Sequence, residues 1–180
     1  IAGATISGQS WPAPSRPADW NASKGMFETA VSAFGDVNIV VCNAGFLRDG
    51  ILFNMTEQDF DDVVRVHLKG HFCALRHATA YWRERAKAGN AVYGRIISTS
   101  SESAFFAPPG QPNYSAAKAG IIALTMGAAQ LMQKYGITAN VIMPRARTRM
   151  NDTGPLAAMF QKPADGSATF APENVAPPDG

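Results

Sequence analysis

Three short apolar runs, separated by longer segments with helical spacing, decide which architectures are open to this chain. They are residues 37–42, 95–101 and 138–143. Runs of this length bounded by turn residues read as buried strands. Strands that alternate with helices pair in parallel, because a parallel neighbour is reached only by a long crossover. The expectation is an α/β fold with an open, doubly wound parallel sheet, and no internal repeat is visible.

The intervening segments carry helix signals. Residues 19–34 set Met26, Phe27, Ala30, Val31 and Phe34 in one stripe that Gly35 ends. Thr56, Glu57, Gln58 and Asp59 read as a capping box, with Met55 and Phe60 as its hydrophobic staple, for a long helix reaching about residue 88. A loop with Pro108, Pro109 and Pro112 leads into a helix over 114–135, closed by Gly136. A chain of 180 residues with 46% hydrophobic content suits one globular domain. Its formal charge of +2 gives no footprint for nucleic acid or an anionic membrane. No apolar run nears the roughly 20 residues of a membrane span, and no basic start with an apolar core marks a signal peptide. The chain therefore reads as soluble, intracellular and cytoplasmic. Cys42 and Cys73 are then core thiols, and the acceptor triplets at Asn21, Asn54 and Asn151 carry no glycosylation meaning.

Chemistry concentrates around Tyr114 and Lys118. Four apart on one helix, they share a face. A free phenol titrates near 10 and is a poor acid or base at neutral pH, but a neighbouring ammonium favours the phenolate. Ser101, at the end of the run that starts with Arg95, offers a hydroxyl to hold a substrate oxygen while Tyr114 moves its proton. Ser98, Thr99, Ser100 and Ser103 compete for that role, and a lone Tyr-x-x-x-Lys arises often on solvated helices.

The order of landmarks adds what the pair lacks. Asn43, Ala44 and Gly45 after the first run, then Ser101, Tyr114 and Lys118, then Val141, Ile142, Met143 and Pro144, resemble the short-chain dehydrogenase/reductase family over residues 19–176. Within it, Leu47, Arg48 and Asp49, the stretch Val66 to Gly70, and Pro144 to Met150 are most similar to the (3R)-hydroxyacyl-CoA dehydrogenase domain of type 2 multifunctional β-oxidation enzymes. The resemblance implies a partial Rossmann-like sheet and an NAD(P)-dependent oxidoreductase interconverting a secondary alcohol and a ketone, with 3-hydroxyacyl-CoA as the substrate class. It implies Ser101, Tyr114, Lys118 and His67 as catalytic. Asn43, Ala44, Gly45, Tyr114, Lys118, Pro144 and Thr148 would line the cofactor. NAD and NADP both stand, NAD being the first expectation. Residues 145–170 correspond to a substrate loop, and helices 56–88 and 114–135 to the contacts of a homo-oligomer.

Three departures from the family pattern matter. His67 stands where most members have an asparagine that supports a water chain to the lysine; it either relays protons or fills space. Arg145 replaces the glycine after Pro144, and Arg145, Arg147 and Arg149 read either as an attractor for acyl-CoA phosphate or as a solvated turn. The strand, Gly-rich turn and acidic residue that open a dinucleotide-binding fold have no counterpart. Residues 1–18 read as an irregular lead-in, with Arg16 and Pro17 where the adenine-bordering pair belongs, ahead of a partial catalytic domain over 19–180. Gly3 to Ser10 imitates a phosphate loop but lacks its lysine and its helix. The expectation is a fragment without its first β-α-β unit and of doubtful activity. A catalytically silent subunit of the same fold is the alternative. His67 and His71 have the spacing of a metal pair, yet no third ligand is evident, so no metal is expected; one surface and one partly buried histidine is the simpler reading.

Overall fold

The computed structural model describes residues 18–145, together with Ala171 and Val175. The expectations for Arg16 and Pro17, the phosphate-loop imitation, Arg147, Thr148, Arg149 and the rest of the substrate loop lie outside these residues.

Three strands form one parallel sheet in the order β1 (Ile39–Cys42), β2 (Arg95–Thr99), β3 (Thr138–Ile142). The register sets Ile39 beside Arg95 and Arg95 beside Thr138. Helix α1 (Trp20–Phe34) precedes β1. Between β1 and β2 run α2 (Glu57–Val64), a π-helical turn (Arg65–Lys69) and α3 (Gly70–Lys87). Between β2 and β3 lie the short α4 (Ser103–Phe106) and the long α5 (Pro112–Met132).

Local chemistry fixes the ends of these helices. Asp19 caps α1, its Oδ1 accepting the Ala22 N–H at 2.7 Å, and Gly35 closes it at a left-handed φ of 80°. Thr56 starts α2, its Oγ accepting the Asp59 N–H at 3.1 Å while its own hydroxyl donates to Asp59 Oδ2 at 2.6 Å. Half of the capping box is thus realised: Asp59 answers the Thr56 hydroxyl rather than the Thr56 N–H. The long helix over 56–88 is not regular. At Arg65–Lys69 the ladder widens, and Gly70 N–H reaches Arg65 O five residues back. That extra residue turns both Val66 and His67 inward, where they are buried.

Cys42, Leu75, Ala78, Trp82, Ile96, Met132 and Ile137 form the core, joining α3 and α5 to one face of the sheet. Trp82 is 1% exposed and donates its Nε1–H to Val37 O at 2.6 Å, so its only polar atom is satisfied on burial. Gly94 makes room for it: a Cβ there would stand 2.8 Å from both Trp82 Cδ2 and Ile137 Cγ1. Ile39 and Val41 of β1 and Ile142 of β3 are exposed among the described residues. The stripe foreseen on α1 is only half realised. Phe27 packs on the core edge against Tyr81, whereas Phe34 is 56% exposed, because α1 lies against α3 rather than under the sheet. Cys42 and Cys73 are free, buried thiols.

Candidate active site

Parallel strands end on one side, and the chain leaves all three there. β1 runs into Asn43, Ala44 and Gly45, β2 into Ser100 and Ser101, and β3 into Met143 and Pro144. The crevice outside the carboxyl ends of such strands is where open α/β sheets bind ligands. Ser100 N–H donates to Ile142 O at 2.8 Å, which keeps the β2 and β3 ends together.

Helix α5 brings its first turns to this rim. Lys118 is 4% exposed, and its Nζ donates to Thr99 O at 2.7 Å, pinning the side chain to the end of β2. The same ammonium lies 5.3 Å from the centroid of the Tyr114 ring. Ser101 stands close enough to the Tyr114 phenol to pull its pKa down, and its Oγ accepts the Ser103 N–H at 3.2 Å. The structure therefore gathers Ser101, Tyr114 and Lys118 at one place. Of the competing hydroxyls, Ser98 receives the Thr125 hydroxyl, Ser100 donates to Lys118 O, and Ser103 donates to Gln111 Oε1. Thr99 Oγ1 is buried without a partner.

The electrostatics differ from the expectation that Lys118 would depress the phenol. Burial pushes the Tyr114 pKa above the usual 10, the Ser101 side chain pulls it back, and the Asp49 carboxylate pushes it up again. Lys118 is not among the influences on the phenol, and burial lowers Lys118 itself from 10.5 to about 8.

His67 completes the cluster. It is 1% exposed, stands edge-on to Tyr114 with ring centroids 5.2 Å apart, and is anchored through Nε2, which lies 2.8 Å from Phe46 O and 3.1 Å from Phe46 N. One tautomer donates to that carbonyl and the other accepts that N–H; Nδ1 has no partner in either case. Gly45 is the counterpart of this packing, since a Cβ there would fall into the imidazole. His71 donates from Nδ1 to His67 O at 2.7 Å. Both histidines are buried, which corrects the reading of one surface and one partly buried ring; the widened turn draws the pair inward. Burial, the largest influence on each, holds both down to about 4. Among the described residues no group of three or more His, Cys, Asp or Glu is placed to hold a metal ion.

Other expected contributors are present but less enclosed. Asn43 and Ala44 are exposed, Gly45 is half-buried, and Pro144 is exposed at the end of β3. Arg145 reaches across to Glu102, the residue after Ser101, with its guanidinium 2.6 and 2.9 Å from Oε2. It thereby joins the segments that follow β2 and β3. The residues that sequence reasoning passed over are Asn113 and Gln111, which tie the start of α5 to Arg48 and Asp49 in the loop after β1. An asparagine and a glutamine flanking Pro112 just before a helix were the available signal.

An apolar groove of about 500 Å³ lies between Ile51 and Leu52, the α4–α5 loop and α5 itself. Its α5 lining includes Ala116 and Ala119. At 3.6 residues per turn these are rotated by about 140–200° from Tyr114, so the groove opens on the far side of α5 from the phenol.

The comparisons with known proteins agree with this geometry. The family model of the short chain dehydrogenases matches residues 4–154. The chain belongs to the short chain dehydrogenase family. It is 55% identical over 118 residues to hydroxyacyl-CoA dehydrogenase ChsB1 of Mycobacterium tuberculosis, covering 64% of this chain and 37% of that protein. Over 152 residues it is 39% identical to a peroxisomal hydratase-dehydrogenase-epimerase of Neurospora crassa, covering 84% of this chain and 16% of the other. A crystal structure of a short chain dehydrogenase from Mycobacterium avium superposes with a TM-score of 0.73 at 54% identity, covering 76% of this chain and 47% of that one. The chain thus spans less than half the length of these three relatives. The three-stranded parallel sheet with flanking helices is that family's fold, and the family binds NAD or NADP. Among the described residues no helix is long and apolar enough to cross a membrane. Some relatives are named for the peroxisome, and the cytoplasmic expectation draws no support from them.

Proposed function

We propose that this chain carries the catalytic centre of an oxidoreductase that interconverts a secondary alcohol and a ketone, with 3-hydroxyacyl-CoA and its 3-oxo counterpart as the substrate class. The observation that carries the reading is the meeting of Tyr114, Lys118 and Ser101 at the carboxyl ends of β1, β2 and β3. The substrate class rests on the likeness to proteins named as hydroxyacyl-CoA dehydrogenase and as multifunctional enzyme type 2, and these names also favour an enzyme over a silent subunit.

The residues present fit a nicotinamide dinucleotide. Lys118 spends one of its three N–H donors on Thr99 O, which leaves two for a ribose diol. Asn43, Ala44 and Gly45 offer backbone at the end of β1, and Pro144 supplies the opposite wall. When bound, the dinucleotide supplies the hydride donor or acceptor. NAD is the form we put first.

The chain's own groups handle the proton. Because burial keeps Tyr114 protonated at neutral pH, the phenol enters ketone reduction as an acid and delivers its proton to the developing alkoxide. In alcohol oxidation the same oxygen takes the proton back. Ser101 holds the substrate oxygen in line and stabilises the charge that forms there. Lys118 stabilises the phenolate left behind. His67, neutral and edge-on to Tyr114, presents a buried Nδ1 with no other partner, which favours a relay over simple space filling. The apolar groove beyond α5, with Phe53, Phe105 and Phe106 exposed near it in sequence, supports a homo-oligomer built on this side of the chain.

Fluorescence titration of the 180-residue chain with NADH and NADPH tests the reading. Saturable binding that Lys118→Ala abolishes is expected; a chain that binds neither dinucleotide counts against it.

A further inference from the structure

Asn113 is 0% exposed, precedes the phenol directly, and belongs to no function given above. Its side chain makes three hydrogen bonds to three different segments. Nδ2 donates to Arg48 O at 3.0 Å, in the loop after β1, and to Asp59 O at 3.1 Å, in the first turn of α2. Oδ1 accepts the Tyr114 N–H at 2.7 Å. Both amide hydrogens and one lone pair are therefore used, and no other side chain has that inventory at this size.

The bond to Tyr114 is informative because Gln111, the residue that caps α5, makes no side-chain capping bond. Asn113 takes one of the free N–H groups of the first turn instead. Gln111 turns to the same loop: its Nε2 donates to Asp49 Oδ1 at 3.1 Å, and its Oε1 receives the Ser103 hydroxyl at 3.0 Å. Gly50 N–H donates to Gly110 O at 2.8 Å. The stretch 110–113 is thus sewn to residues 48–50 at three points, and Asn113 is the only one of them that also holds α2 and the Tyr114 backbone.

We propose that Asn113 is the positioning residue that fixes the Tyr114 phenol against the loop after β1 and the start of α2. The inference rests on the functional reading above. Without the Asn113 amide, the carbonyls of Arg48 and Asp59 lose buried donors and must find water. The loop 48–50 then lifts from α5, water reaches the phenol, and the Asp49 carboxylate moves away. Both changes act on Tyr114 in one direction, because burial and Asp49 are the influences that raise it.

Titration of Tyr114 by ultraviolet absorbance reads this without any turnover. Each protein is compared with its own Tyr114→Phe counterpart, which isolates one phenol from the four tyrosines. In Asn113→Ala the Tyr114 midpoint is expected to fall toward the ordinary value of about 10. Turnover is expected to drop about a hundredfold, as a misplaced reacting group costs, with dinucleotide binding kept. Asn113→Ser, which retains an oxygen for the Tyr114 N–H and one donor, is expected to lie between. It carries the same test if the alanine variant does not fold. A variant that folds, melts at a lower temperature and titrates Tyr114 at the parent midpoint overturns the proposal. A parent chain with no turnover at all counts against the functional reading, while the titration still decides whether Asn113 places the phenol.

Discussion

Lys118→Met is the substitution whose consequences are most fully determined by this structure. The methionine keeps the length and the packing of the stem and removes the ammonium. Burial lowers Lys118 from 10.5 to about 8, so below pH 8 the folded chain carries a charge it would rather shed. That difference corresponds to about 3 kcal/mol against folding. The substitution relieves it but leaves Thr99 O without its donor, a loss of about 1–3 kcal/mol, so the two variants should be nearly equal in stability at pH 7. Their pH dependence should not be equal. The folded-state pKa lies below the unfolded one, so between about pH 8 and 10.5 the unfolded chain binds more protons and stability rises with pH. Between pH 7 and 9.5 the parent should gain about 2 kcal/mol on the variant. Urea unfolding of both proteins at the two pH values measures this, and taking the difference cancels the titration of Cys42, whose thiol burial raises to about 12 in either protein. Parallel pH profiles for the two proteins would refute the buried-ammonium argument.

Other consequences follow from the same cluster. Gly45→Ala drives a methyl into the His67 ring, which is 1% exposed and cannot retreat; overpacking of this kind costs about 1–3 kcal/mol, read as a lower urea midpoint, and an unchanged midpoint would show the pocket to be loose. His67 and His71, both held down to about 4, are neutral when folded and protonated when unfolded between about pH 4 and 6.5. Stability conferred by their neutrality is therefore lost as pH falls through that window, with a slope of about 2.7 kcal/mol per pH unit from the pair. His67→Asn should remove about half of this slope; a variant that keeps the full acid sensitivity would assign the loss to carboxylates instead.

The sheet and its parallel pairing were legible because the three apolar runs have strand length and helices intervene. The helix starts were legible too, since Asp19 and Thr56 are residues whose side chains cap. What escaped is of two kinds. The π turn has no local signature at Arg65–Lys69, because what it serves is the three-dimensional fit of His67 between Gly45 and Tyr114. The protonation energetics depend on how deeply α5 sits on the sheet, and this is why Tyr114 is raised where the Tyr-x-x-x-Lys spacing alone suggested the reverse. Tyr114, Lys118 and Ser101 stood out as chemistry, whereas Asn113 and Gln111 looked like ordinary loop polars, because their value comes from contacts with residues 48–59, far back in the chain.

On the proposed reading Tyr114 moves the proton in alcohol–ketone exchange. Its most direct test is the rate of 3-oxoacyl-CoA reduction with NADH by the parent and by Tyr114→Phe, which keeps the ring against His67 and removes only the hydroxyl. General acid catalysis lost in this way should cost about 10²–10⁴-fold in turnover while dinucleotide binding persists. A phenylalanine variant that reduces the substrate at the parent rate would contradict the account.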